Sequence, residues 1–121
     1  MLQDGPLDEL AARFVLPAKS GVYLTRNELV ALARVSEASL RINERKRMLA
    51  DVLKSPQSPA ELIALLRRLI DFCRLHLEEY ESVGREFPAA RALAEPWAAK
   101  ARASIERLEI VCEELALAST T

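Results

Sequence analysis

Three long stretches of this chain carry apolar residues at helical spacing, and two of them open on recognisable capping sequences. This feature restricts the fold more than any other, because an amphipathic helix must bury its apolar side against another element. Thr25-Arg26-Asn27-Glu28 reads as a capping box, in which the Thr oxygen and the Glu carboxylate each take an orphan backbone N–H. Ser58-Pro59-Ala60-Glu61 reads as a second, with proline at the first helical position, where its missing N–H costs nothing. Glu95-Pro96-Trp97 opens the third stretch less cleanly. Glu is a poor N-cap, and Pro96 is also compatible with a kink in a helix that begins near Pro88.

The spacing predicts helices over 26–54, 59–86 and 97–118, with a shorter one over 6–15 that places Leu7, Leu10, Ala11 and Phe14 on one side. Asp8 and Glu9 in the first turn of that short helix suit the macrodipole. Gly21, Pro17 and Ser55-Pro56 mark connections. The expected fold class is all-α: an up-and-down antiparallel bundle of three long helices plus a short N-terminal helix, in one domain over 1–121.

The helix over 59–86 has the clearest seam. Leu62, Leu69, His76 and Val83 recur every seven residues, interleaved with Leu65, Leu66, Phe72, Cys73, Tyr80 and Phe87. The last helix repeats the pattern with Trp97, Ala101, Ile105, Leu108, Cys112 and Leu115. The helix over 26–54 differs, because it carries two apolar lines. One runs through Leu32, Val35, Ala38, Ile42, Leu49, Val52 and Leu53, the other through Leu29, Ala33, Ser36 and Leu40. Burying a large aliphatic side chain is worth about 1.5–3 kcal/mol, so a second such face calls for a cover. The N-terminal helix could supply it, or a second subunit could.

Antiparallel folding about the Ser55–Gln57 turn sets Arg34 near Glu79, and folding about 87–95 sets Arg74 near Glu109. The same register gathers Arg45, Lys46 and Arg47 beside Arg67 and Arg68, an end that needs Glu113, Glu114 or an outside anion. Arg41, Arg45, Arg67 and Arg68 could then dock an acidic segment or a phosphate, since the guanidinium fork pairs bidentately with either. A solvated bundle surface is the simpler account of the run from Arg41 to Arg47. Asn43 within that run suits a register-setting or groove-lining position. Trp97 and Phe87 flank the far break and read as hairpin-packing residues.

Composition narrows the function classes. Half of the chain is apolar and the net charge is −1, which suits a packed domain and neither an acidic tail nor a basic nucleic-acid arm. No stretch approaches the roughly 20 apolar residues of a membrane span, and the first residues lack a secretory pattern, so a cytoplasmic protein is expected. With two cysteines, Cys73 and Cys112, no disulfide framework is expected.

His76 is the sole histidine, and with Cys73 three residues earlier and Cys112 on the last helix it could outline a metal or small-molecule site. That spacing matches no standard zinc pattern, and buried free cysteines ordinarily pack as small apolar residues. Ferritin-like centres need Glu-x-x-His on two helices, hemerythrin-like centres several histidines, and HEPN ribonucleases an Arg four to six residues before a His. One histidine with Arg68 and Arg74 as its neighbours fails each. Three glycines, Gly5, Gly21 and Gly84, make no phosphate loop.

No catalytic residue and no cofactor is therefore assigned. The sequence reads as a non-enzymatic interaction module, an assembly factor, small chaperone or complex subunit, that binds a polypeptide or a second copy of itself as a homodimer. The expected contact residues are Leu29, Ala33, Ser36, Leu40, Arg41, Asn43, Arg45, Arg47, Arg67 and Arg68.

Overall fold

The computed structural model describes residues 4–16, 20–36 and 44–120, and among them every regular element is helical. We number the α-helices α1 (Asp4–Phe14), α2 (Arg26–Ala33), α3 (Arg45–Lys54), α4 (Pro59–Glu86) and α5 (Arg91–Thr120). Short 3₁₀ turns lie at Arg34–Ser36 and Pro88–Ala90. No described helix is long and apolar enough to cross a membrane.

Both capping sequences act as N-termini. At α2 the box is complete, with Glu28 N–H donating to Thr25 Oγ1 at 3.1 Å and Thr25 N–H to Glu28 Oε1 at 3.1 Å. At α4, Glu61 N–H donates to Ser58 Oγ at 3.2 Å, but the Glu61 carboxylate reaches one residue further back and accepts Gln57 N–H at 2.6 Å. Ser58 and Glu61 thereby also anchor the turn that enters the helix.

α4 and α5 form an antiparallel hairpin of 28 and 30 residues, about 42 and 45 Å long at the usual rise. The expected register holds along it. Arg74 pairs with Glu109 at 3.7 Å, and Arg102 pairs with Glu81 at 3.5 Å one step nearer the tip. Pro96 does not begin a helix; it lies inside α5, which starts at Arg91 instead of 97.

The helix expected over 26–54 is broken. α2 ends at Ala33, the chain tightens into the 3₁₀ turn, and Glu44 precedes α3 with an extended ψ of 142° and no side-chain cap. Residues 37–43 lie outside the described part. The break resolves the puzzle of two apolar faces. With the chain redirected between the two short helices, Leu29, Leu32 and Ala33 from α2 and Met48, Leu49, Val52 and Leu53 from α3 are all buried in one core. α1 packs along α3, α2 packs on α3 and touches α4, and Phe14 and Leu7 of α1 are buried in the common core. The Arg34–Glu79 pair does not form among the described residues, because Arg34 stands on the 3₁₀ turn and not on a long antiparallel helix. The architecture is thus a two-helix hairpin with three shorter helices around one half of it.

One core cluster joins both parts, from Leu7 on α1 to Leu115 on α5. A polar clamp fastens residues 20–21 to the hairpin. Ser20 is buried, its hydroxyl donating to Phe14 O at 3.1 Å and accepting Val22 N–H at 3.2 Å. Ser104 Oγ donates to Ser20 O at 2.7 Å, and Tyr80 Oη donates to Gly21 O at 2.6 Å, so both hairpin helices grip the same dipeptide. Gly21 has φ +74°, and a Cβ there would lie 2.7 Å from Ala101 N and 2.8 Å from Trp97 O. Only glycine permits both that backbone conformation and that approach to α5.

Candidate interaction surface

Of the contact residues expected from the sequence, Leu29 and Ala33 belong to the chain's own core and present nothing to a partner. This is a correction, and its cause is the break after Ala33. The side chain of Ser36, and all of Leu40, Arg41 and Asn43, lie outside the described residues. Arg45 is half-buried; its Nη1 donates to Leu24 O at 3.2 Å and its guanidinium stacks 4.4 Å from the Tyr23 ring centroid, so it ties the loop before α2 to α3. Arg47 is exposed. Arg68 pairs with Asp71 on its own helix at 3.8 Å, and Arg67 lies near Cys112. Arg45 and Arg68 are thus engaged within the chain.

Cys73, His76 and Cys112 are not gathered into a ligand set either. Among the described residues, no group of three metal-binding side chains comes together. Burial pushes the Cys73 thiol up to about 12 and raises that of Cys112 as well, which keeps both protonated as packing residues. His76 Nδ1 donates to Phe72 O at 2.9 Å, one turn back on α4.

Exposed apolar surface occurs elsewhere. The seam of α4 runs out of cover toward the hairpin tip, where Val83, Phe87 and Leu93 are solvent-exposed and Phe87 retains 61% exposure. Phe87 is thus not the packing residue its position suggested. Trp97, at 37%, is partly covered, with Lys100 Nζ 4.9 Å from its ring centroid.

A second feature lies along the back of α5. Ala101, Ile105, Leu108, Cys112 and Leu115 face the core, while Ala103, Ile110 and Leu117 recur every seven residues on the opposite side. Ile110 is 54% exposed and Leu117 69%. Beside this stripe an open groove of about 510 Å³ separates α5 from α1, with Leu10 and Leu16 on one wall and Val111 on the other. Leu16 is 47% exposed at its edge. Arg107 and Glu114 stand on the rim shared by groove and stripe. The sequence contains this stripe, but each of its members also reads as an ordinary exposed residue of an amphipathic helix, and the stronger core line beside it absorbed the signal.

No family model matches the chain, and neither curated proteins nor solved structures yield a match. The reading of function therefore rests on the surface itself.

Proposed function

We propose that this chain is a non-enzymatic interaction module that binds another polypeptide chain through an apolar helical face, and that the face is the outward stripe of α5 with the adjoining α1 groove. The observation that carries this reading is the exposure of Ile110 and Leu117 on the side of α5 opposite its core stripe, next to Leu16 across a groove. Large aliphatic side chains scattered singly on a surface need no explanation, but a line of them beside a groove has the shape that receives a helix. Charged side chains, Glu106, Arg107, Glu113 and Glu114, flank the stripe and give it the polar rim usual for such contacts. We read its role accordingly as that of an assembly factor, small chaperone or complex subunit.

The test compares native-lysate capture on tagged wild-type protein with capture on the Ile110→Glu variant, whose position is exposed and whose fold is checked by thermal melting. A defined set of chains, untagged copies included, is expected on wild type and lost from the variant. Recovery of the same set on both proteins overturns the assignment to this face.

A further inference from the structure

We infer that the α5 stripe is an isologous contact between two copies of this chain, packed with their α5 helices antiparallel about a two-fold axis near Ile110 and Val111. The inference rests on the interaction reading above and names the partner. Three observations support it. The first is charge. Arg107 and Glu114 lie on the same edge of the stripe, and neither forms an ion pair within the described residues. In an antiparallel helix pair, like edges meet, so a two-fold midway between these residues sets Arg107 against the Glu114 of the second copy, and Glu114 against its Arg107. The edge is complementary to itself only in that direction and register.

The second observation is size. With the axis near Ile110, Leu117 falls opposite the small Ala103 of the other copy, while Ile110 meets its own counterpart and Val111. Large side chains then face small ones at the ends and aliphatic ones at the centre, which lets two helices approach closely. The third is the groove. On the Arg107 side it reaches α1, where exposed Leu16 offers further apolar cover for the second α5. The opposite rim, Glu106 and Glu113, meets like charge in the same arrangement, so the helices lean toward the α1 side, where the groove is. A net charge of −1 leaves little overall repulsion to oppose the pairing.

Analytical ultracentrifugation of the full chain over micromolar to submillimolar concentration tests this, with Arg107→Glu, Glu114→Arg, Ile110→Glu and Leu93→Glu alongside. Wild type and Leu93→Glu, which changes only the hairpin tip, are expected to dimerise equally. Arg107→Glu and Glu114→Arg are each expected to weaken self-association at least tenfold, because each places like charges across the axis. An equimolar mixture of those two variants is expected to associate again, since each then supplies the charge the other lacks. Ile110→Glu is expected to remain monomeric.

A monomeric wild type, or a dimer insensitive to the Arg107 and Glu114 changes, overturns the self-pairing. If wild type is monomeric while Ile110→Glu still loses captured chains in lysate, the inference of a second copy fails and the interaction reading stands. If the variant also keeps its captured chains, both fall.

Discussion

Cys73 lies on the buried side of α4, and its thiol is held up at about 12, against an ordinary 9.0, because burial penalises the thiolate. The consequence for stability has a definite sign. In the unfolded chain the thiol releases its proton near 9.0, while the folded protein holds it until about 12, so over that window the native state binds more protons. The contribution is complete below about pH 9 and is lost as pH rises, with a slope of at most about 1.4 kcal/mol per pH unit. Tyr80, raised by burial and by the neighbouring Glu79 carboxylate, acts in the same direction. Urea unfolding followed between about pH 8 and 11 should show falling stability, and Cys73→Ala should flatten the slope without abolishing it. An unchanged slope in the variant means the thiol is not the group responsible.

Two helices in this protein, α2 and α4, begin where their caps say. Thr25 and Ser58 were legible because a cap is a local contract between a side chain and the next three backbone N–H groups. Replacing Ser58 with Ala removes the acceptor for Glu61 N–H and should cost about 1 kcal/mol in denaturant unfolding, within the usual 0.5–2. A loss of only a few tenths means that the Gln57–Glu61 bond holds the turn unaided. The break after Ala33 was not legible. The line through Leu29, Ala33, Ser36 and Leu40 continues past Ala33 and no glycine or proline stands there; the charged run from Arg41 to Arg47, which interrupts the pattern, comes only further on. Burying Leu29, Leu32 and Ala33 of α2 in one core with Leu49, Val52 and Leu53 of α3 is a packing gain that no local propensity contains.

Across the whole molecule, the half of the hairpin away from its tip and the three shorter helices share one cluster, and Phe14 on α1 is 1% exposed within it. The short N-terminal helix is consequently part of the core and not an appendage. Phe14→Ala should cost about 3–5 kcal/mol and shift the whole unfolding transition, with helical circular dichroism and the fluorescence of Trp97 still moving together. Two separated transitions, with the Trp97 signal unshifted, indicate instead that the hairpin holds without α1. The clamp at Ser20-Gly21 explains the expected coupling, since Tyr80 and Ser104 reach that dipeptide from both long helices.

The sequence by itself determined the helical class, the N-termini at Arg26 and Pro59, the antiparallel register that joins Arg74 to Glu109, and most of the α4 and α5 core stripes. Each of these depends on residues a few positions apart, or on a short turn that fixes what faces what. Only the tertiary structure decided that Leu29 and Ala33 go inside, that Arg45 serves Tyr23 and Leu24, and that an apolar line through Ile110 stays exposed. Amphipathic periodicity says that a face will be covered, but which neighbour covers it depends on distances between parts of the chain that no spacing along the sequence records.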